Sequence, residues 1–257
     1  MTRIICLTSG KGGVGKTTLS SNLALALNDF NKRVMLIDAN LTTPNLGFHM
    51  GIPLYPKTFH DLLRDEAHAD EATYIHPSGV HIIPAGISLN DLKNTDANKM
   101  DNVVLDLVGN HDIILLDGAA GLGKESLASI KTADELLIVT NPELPAVTDA
   151  LKAIKLAEET GTHILGVVIN RHKNKAAELS MSEVEALTGY PVISVIPEDK
   201  DMQASLAAKT PIVSYNQNAP ASHEIKKLAG NLIGLDYQPP AQPKISGLFS
   251  KIFSFLK

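Results

Sequence analysis

The sequence predicts an α/β fold in which a mostly parallel sheet is covered by helices on both faces. Three observations support this prediction. Strand-like and helix-like segments alternate along most of the 257 residues. The strand candidates are short, nearly continuous apolar runs, as expected for parallel strands that are buried on both faces. The first of these runs leads through a glycine-rich loop into a helical pattern.

The predicted elements follow in order. We predict strands over residues 3–8, 33–38, 80–84, 112–117, 135–140, 164–170 and 192–196. Helices are predicted over residues 17–28, 88–107, 146–160, 176–188 and 223–233. Ligands of such sheets bind beyond the carboxyl ends of the strands, so one rim should carry the functional side chains. This rim collects Lys16, Asp38, Asp117, Asn141 and Asn170.

The glycine-rich loop carries the strongest chemical signal. Gly10, Gly15, Lys16 and Thr17 match the phosphate-loop pattern G-x-x-x-x-G-K-[ST] in full. In such a loop, backbone N–H groups and a helix N-terminus cradle phosphates. The lysine reaches the terminal phosphates and the threonine hydroxyl binds Mg²⁺. The alternative, a ligand-free turn, would need neither the lysine nor the threonine at these positions.

We therefore predict one P-loop NTPase domain over residues 1–236, with ATP and Mg²⁺ as cofactors. The candidate nucleotide-binding residues in the loop are Gly10, Lys11, Gly12, Gly13, Val14, Gly15, Lys16, Thr17 and Thr18. Thr17, Asp38 and Asp117 are the candidate metal ligands, and Lys16 and Asp38 are also candidate catalytic residues. Either aspartate could instead be a strand-end residue that caps a helix.

Composition excludes several classes of protein. The net charge of −5 argues against a surface devoted to nucleic acid. The single cysteine, Cys6, excludes a disulfide framework or an iron–sulfur ligand set within one chain. The strand pattern begins at residue 3 and no apolar run approaches the length of a membrane span, so we expect no signal peptide and a cytoplasmic location.

The C-terminal end differs in composition from the rest. Residues 237–243 are rich in proline and predict an extended linker. Residues 244–257 predict an amphipathic helix whose apolar residues fall within an arc of about 160°. We expect it to lie in the interface of an anionic membrane through Ile245, Leu248, Phe249, Ile252, Phe253 and Leu256, with Lys251 and Lys257 toward the head groups. A helix docked on its own domain and a helix bound in a partner's groove remain alternatives.

Seven segments together resemble the deviant Walker A ATPases of the MinD/ParA family, and among them the archaeal MinD-like proteins most. They are residues 9–18, 34–38, 41–51, 115–121, 141–143, 168–171 and 196–199. The resemblance covers essentially the whole chain. It implies an ATP-dependent homodimer that associates reversibly with the inner face of the cell membrane and is switched by a protein activator or cargo adaptor.

The resemblance also implies roles for single residues. Lys11 corresponds to the lysine that reaches the partner's phosphates, where it would neutralise charge in phosphoryl transfer; a solvated loop lysine is the alternative. Asp38 is similar to the switch I acid and Asp117 to the Walker B acid. The implied adenine-side residues are Asn170, Arg171, Pro197, Glu198 and Asp199, although Asn-Arg after a strand is also common in turns.

One position departs from the family. Family members usually have an aspartate two residues after the first switch I acid, whereas this chain has Asn40. An amide can orient water but cannot accept its proton as a carboxylate can. We therefore include Asn40 among the candidate catalytic residues and expect slow ATP hydrolysis.

The sequence favours a membrane-associated ATPase that positions a cell-division or polar structure. A ParA-type partition ATPase that binds nonspecific DNA, or a regulator that positions flagella or surface appendages, are the alternatives. The DNA-binding alternative would need a basic surface, which the net charge does not support.

Overall fold

The computed structural model describes residues 1–52, 55–88, 90–93 and 95–240. In this part of the chain, eight strands form one sheet in the order β3-β4-β2-β5-β1-β6-β7-β8. The strands are β1 (Arg3–Ser9), β2 (Val34–Ala39), β3 (Tyr74–Ile75), β4 (His81–Ile83), β5 (Ile113–Ala120), β6 (Glu135–Thr140), β7 (His163–His172) and β8 (Val192–Pro197). β3 pairs antiparallel with β4, and the other described pairs are parallel.

Helices connect the strands. They are α1 (Lys16–Asp29), α2 (Leu46–His49), α3 (Phe59–Leu63), α4 (Ala69–Ala72), α5 (Met100–Leu105), α6 (Lys124–Thr132), α7 (Leu144–Thr160), α8 (Met181–Thr188), α9 (Asp201–Ala207), α10 (Ile212–Tyr215) and α11 (Pro220–Leu232), with a 3-10 turn at Ala97–Lys99 before α5. In the described residues, no helix combines the length and the apolar character that crossing a membrane requires.

The core has two layers, one on each face of the sheet. Along β1, Ile5 and Leu7 pack with α1, α10 and α11, whereas Ile4 and Cys6 face the layer formed by α3 to α8. Successive strand residues point to opposite faces, so a strand covered on both sides must be apolar throughout. The fold class is therefore confirmed for the described residues, as an α/β domain with a mostly parallel sheet covered on both faces.

All seven predicted strands are present, with ends that differ by at most three residues. The sequence analysis missed β3, because two residues are too short to carry a periodic signal. The predicted helix over residues 88–107 is wrong over its first half. Ser88 and Asp91 bond each other in a local turn, and Asp96 accepts a hydrogen bond from the Asn98 N–H at 3.0 Å, so helix begins only at Ala97.

Other helix boundaries differ from prediction for similar reasons. The helix predicted from residue 176 begins at Met181, because Ser180 forms a capping box with Glu183. Six helices were not predicted, namely α2, α3, α4, α6, α9 and α10. All six are short, and the rest of the described chain supplies the packing that stabilises them.

Near the end of the described chain, Tyr237 packs on the domain. The ring of Tyr237 lies 5.7 Å from the ring of Phe30, and its hydroxyl is 3.2 Å from Nδ1 of His223. The first residue of the predicted linker thus contacts the P-loop domain. Residues 241–243 of the linker and the predicted amphipathic helix at residues 244–257, with all its candidate membrane residues, lie outside the described residues.

Candidate functional site

The phosphate loop lies between the end of β1 at Ser9 and the start of α1 at Lys16, as the sequence predicts. Its backbone requires glycine at two positions, since Gly13 and Gly15 have φ of 82° and 96°. A Cβ at Gly15 would also lie 2.3 Å from Nδ2 of Asn170. These left-handed residues turn the loop around the N-terminus of α1, where N–H groups can bind an anion.

Gly10 is required for packing. A Cβ at this position would lie only 1.8 Å from the backbone oxygen of Asp149 on α7. The start of the loop therefore rests directly on a helix of the opposite layer. Any larger residue would push the loop away from α7.

Lys16 reaches back along the loop and is 8% exposed. Its Nζ donates a hydrogen bond of 3.0 Å to Oγ of Ser9, which donates in turn to the Lys11 carbonyl oxygen at 2.7 Å. Burial lowers the pKa of Lys16, and the negative charge of Asp117 opposes that shift. Ser9 was not among the predicted site residues, but it positions the lysine.

Asp38 and Asp117 lie at the same level of β2 and β5, and each is 1% exposed. Asp38 accepts hydrogen bonds from the N–H groups of Asn40, at 3.2 Å, and Leu46, at 3.1 Å. Neither carboxylate oxygen of Asp117 has a hydrogen-bond partner among the described residues. Burial and then the charge of Asp117 raise the pKa of Asp38 to about 8, and burial raises the pKa of Asp117.

A magnesium–nucleotide complex fits this arrangement. The unpartnered oxygens of Asp117 are hard ligands of the kind that Mg²⁺ prefers, and Thr17 follows Lys16 in the first turn of α1. Mg²⁺ usually binds one or two carboxylates together with substrate phosphates. A bound cation would also offset the repulsion between Asp38 and Asp117. The residues that would hold it are the predicted ones, Thr17, Asp38 and Asp117.

Asn40 lies in the loop after β2 and its amide is engaged at both ends. Nδ2 donates to the Thr43 carbonyl oxygen at 2.7 Å, and Oδ1 accepts from the N–H and the hydroxyl of Thr43 at 3.4 Å and 3.1 Å. Asn45 donates to the same carbonyl oxygen at 2.9 Å. Asn40 therefore orders its own loop at the edge of the nucleotide cleft.

Asn170 supports the phosphate loop directly. Its Nδ2 donates to the Val14 carbonyl oxygen at 2.8 Å. The backbone oxygen of Asn170 accepts a hydrogen bond from the side-chain amide of Asn141 at 2.9 Å. Its neighbour Arg171 has φ of 57°, and its side chain lines the cleft. The sequence placed both residues near the nucleotide but did not indicate the contact with Val14.

The remaining predicted adenine-side residues already have partners elsewhere. Pro197 ends β8, and Glu198 forms an ion pair of 3.2 Å with Lys173. The Asp199 carboxylate accepts from the N–H groups of Asp201 at 3.0 Å and Ala221 at 3.2 Å, so it holds the start of α11. None of the three residues 197–199 lines the described cleft. Their contact with nucleotide stays a prediction.

The cleft has a volume of about 600 Å³. Of the predicted site residues it is lined by Gly12, Gly13, Gly15, Lys16, Thr17, Thr18, Asn40 and Arg171. It is also lined by residues that the sequence analysis did not select, namely Thr42, Thr43, Asn45, His49, Ala119, Ala120, Gly123, Lys124, Glu125, Ser126 and Leu206. All of these except Leu206 lie at the end of β5 or in the segments that follow β2 and β5, so the rule on strand ends could have indicated them.

Lys11 lies beside this cleft rather than in its wall. Its side chain is 35% exposed, and Nζ is 4.0 Å from a carboxylate oxygen of Glu143, which is itself 64% exposed. A pair at this distance in solvent contributes little. The ammonium group is therefore held only loosely within its own chain.

The nucleotide binding domain model of the CobQ/CobB/MinD/ParA family matches residues 5–212, which include the phosphate loop, both buried aspartates and Asn170. The chain belongs to this CobQ/CobB/MinD/ParA family. An ATP-binding protein of Methanocaldococcus jannaschii is 38% identical over 252 residues, which cover 98% of this chain and 96% of that protein. The family resemblance predicted from the sequence is thus confirmed.

Two solved structures of the CobQ/CobB/MinD/ParA family are similar over almost the whole domain. The septum site-determining protein MinD of Pyrococcus horikoshii, complexed with Mg-ADP, has a TM-score of 0.87 and 32% identity, over 90% of this chain and 96% of that chain. MinD in the MinC:MinD cell division protein complex of Aquifex aeolicus has a TM-score of 0.82 and 31% identity, over 93% and 98%. The predicted cofactors, ATP and Mg²⁺, agree with a nucleotide-binding family that includes an Mg-ADP complex.

Proposed function

We propose that this chain is an ATPase that dimerises with ATP, binds the membrane reversibly and positions a cell-division or polar structure. The observation that carries the proposal is the phosphate loop beside two buried carboxylates, in a chain similar to MinD over nine-tenths of its length. Each part of the proposal has its own support.

ATP binding is supported by the architecture of the cleft. The N-terminus of α1, Lys16 and the left-handed glycines suit phosphates, and the unpartnered Asp117 suits a divalent cation. Bound Mg²⁺ would bridge phosphate oxygens and neutralise their charge. Lys16 would bind the terminal phosphates. Its ammonium group would then donate to a phosphate oxygen instead of Oγ of Ser9, so it would keep a hydrogen-bond acceptor.

Dimerisation is supported by the position of Lys11. A lysine this exposed, with only a distant carboxylate beside it, is free to reach the phosphates of a second copy. There it would stabilise the charge that develops during phosphoryl transfer. Slow hydrolysis follows from Asn40, whose amide can orient a water molecule but cannot take its proton.

Membrane binding rests on the sequence of residues 244–257. This segment is too short to span a bilayer, but its apolar arc and lysines suit an anionic interface. One short amphipathic helix binds weakly, whereas two copies in a dimer bind through effective concentration. ATP would then control membrane attachment by controlling dimerisation.

The cell-division role comes from the similar proteins. The Pyrococcus horikoshii protein is named for septum-site determination, and the Aquifex aeolicus protein was solved with MinC. By the same reasoning, we propose that a protein activator or cargo adaptor binds this chain in its ATP state.

Cosedimentation with anionic liposomes in ATP and in ADP tests the proposal. We expect the full chain to sediment more in ATP, and a chain ending at residue 243 to stay in solution while still binding ATP. Phe253→Asp should abolish sedimentation, whereas Ser254→Asp adds the same charge on the predicted polar side and should reduce it much less.

Two outcomes would contradict the membrane proposal. One is ATP-dependent sedimentation of the chain that ends at residue 243. The other is salt-dependent binding of nonspecific DNA without any liposome binding, which would favour a ParA-type partition ATPase instead.

A further inference from the structure

The loop after β2 and the first turn of α6 are joined by two hydrogen bonds between Thr42 and Glu125. The Thr42 N–H donates to Oε2 of Glu125 at 3.2 Å, and the Thr42 hydroxyl donates to Oε1. Both oxygens of one carboxylate are thus used by one residue that lies 83 positions away. Hydrogen bonds to a charged acceptor are stronger than neutral ones.

The two joined segments are the flanks of the nucleotide cleft. Thr42 and Glu125 both line it. The loop that carries Thr42 begins directly after β2, which contains Asp38. α6 begins four residues after the end of β5, which contains Asp117. The contact therefore connects the segments that follow the two buried aspartates.

Hydrogen bonds and a buried side chain order the loop on the Thr42 side. Asn40 makes three hydrogen bonds to Thr43, so Thr42 is enclosed in a bonded turn. Leu41 anchors the same turn in the core with 3% exposure. Because these contacts hold the turn together, we expect a displacement of Thr42 to displace the whole loop.

The segment on the Glu125 side contains two glycines before α6. Gly121 has φ of 82° and Gly123 directly precedes α6. Glycine allows backbone changes of this kind at low cost. Glu125 lies in the first turn of α6, where the helix dipole favours a negatively charged side chain.

We propose that Thr42 and Glu125 form a clasp that holds the cleft closed and slows nucleotide release. Glu125 is assigned the role of a positioning residue, because in the clasp it acts through the loop that carries Thr42. This inference rests on the proposed nucleotide-binding function. Opening the clasp would separate the two flanks and leave the phosphate loop itself unchanged.

Stopped-flow release of a fluorescent ADP analogue with Mg²⁺, chased by excess ADP, tests the clasp. Thr42→Val removes the hydroxyl donor, and Glu125→Gln removes the charge while keeping the shape. We expect each variant to release the analogue roughly 3–10 times faster than wild type, as the loss of one solvent-exposed hydrogen bond implies. The effects in the double variant should be less than additive, because both changes weaken the same contact.

Glu183→Gln is the matched control. Glu183 also lies in the first turn of a helix and bonds a hydroxyl residue, Ser180, but it does not line the cleft. The Glu183→Gln variant should release the analogue at the wild-type rate. Thermal melting of each variant shows whether it is folded.

The outcomes separate the two proposals. Wild type that fails to bind the analogue would refute the proposed function and the clasp with it. Normal binding by wild type, with unchanged release from folded Thr42→Val and Glu125→Gln, would refute the clasp alone. Additive effects in the double variant would also refute it, since the two residues would then act independently.

Discussion

Asp38 and Asp117 are register partners where β2 runs parallel to β5, so two buried carboxylates lie side by side at the rim of the sheet. Burial penalises the charge on each of them, and each charge penalises the other. Such a pair lowers the stability of the ligand-free protein. A bound cation would remove this penalty. The two aspartates therefore lower the stability of the ligand-free protein in exchange for a site that can bind a cation.

Removing one charge should therefore stabilise the ligand-free protein and weaken its response to metal. We expect Asp117→Asn to raise Tm without Mg²⁺ by roughly 2–4 °C, the shift that about 1 kcal/mol gives in a domain of this size. The increase in Tm that Mg-ATP gives to wild type should be largely lost. Thermal denaturation with and without Mg-ATP measures both effects.

Asp112→Asn is the control for this prediction. Asp112 precedes the other end of β5 and forms an ion pair of 2.9 Å with Arg33. Its substitution should leave the response to Mg-ATP intact and should not raise Tm. A lower Tm for ligand-free Asp117→Asn than for wild type would show that repulsion between the two aspartates does not govern stability.

Asn170 provides a second prediction, because its amide bonds the phosphate loop at Val14. Asn170→Ala should lower the affinity for ATP, GTP and inorganic triphosphate by a similar factor, roughly fivefold for one lost hydrogen bond of about 1 kcal/mol. The loss should be similar because Asn170 supports the loop that binds phosphates, and all three ligands carry the same triphosphate. Isothermal titration with each ligand measures the three affinities.

A base contact would give a different pattern. If Asn170 binds adenine, its substitution should weaken ATP and leave triphosphate unchanged. Asn28→Ala is the control, since Asn28 also donates from its amide to a backbone oxygen, that of Ser78, but does not line the cleft.

The sequence predicted most of the sheet because local and global signals agree there. A parallel strand buried on both faces must be apolar throughout, so β1, β5 and β6 could be recognised from their residues alone. The phosphate loop was equally clear, since glycine, lysine and threonine are each required at fixed positions.

Features that depend on tertiary contacts could not be predicted in this way. The apolar residues from residue 88 onward have the spacing of a helix. However, the side chains of Ser88, Asp91 and Asp96 accept hydrogen bonds from nearby backbone N–H groups, so the helix begins later. The bond from Asn170 to Val14 joins residues 156 positions apart, and the contact of Thr42 with Glu125 joins residues 83 apart. No local pattern encodes either pair.

Lys11 gives a third prediction. Lys11→Ala should lower ATP hydrolysis by roughly 10³-fold, as expected for a cation supplied to the transition state, and should abolish the ATP-dependent dimer. Binding of ATP by the monomer should change much less, because Lys11 does not line its own cleft. Light scattering with ATP, together with single-turnover hydrolysis, measures both properties.

Lys124→Ala is the control for Lys11, since it removes a lysine that does line the cleft. We expect this variant to retain the dimer. Equal loss of ATP affinity and of hydrolysis in Lys11→Ala would place Lys11 among the binding residues of its own chain.

The last prediction concerns Asn40. Asn40→Asp should accelerate single-turnover ATP hydrolysis, by up to roughly 10²-fold if the new carboxylate takes a proton from water. The loop should tolerate the change, because an aspartate still accepts from the N–H and hydroxyl of Thr43. The Thr43 carbonyl oxygen would lose the Asn40 donor but keep the amide of Asn45.

Asn45→Asp tests whether the position of the charge matters. It adds the same charge to the same loop, and the Thr43 carbonyl oxygen keeps the amide of Asn40 instead. This variant should hydrolyse ATP at the wild-type rate, because proton transfer requires the base to be within hydrogen-bond reach of the water. An unchanged rate in Asn40→Asp would place Asn40 away from the attacking water, and the proposed slow hydrolysis would then need another cause.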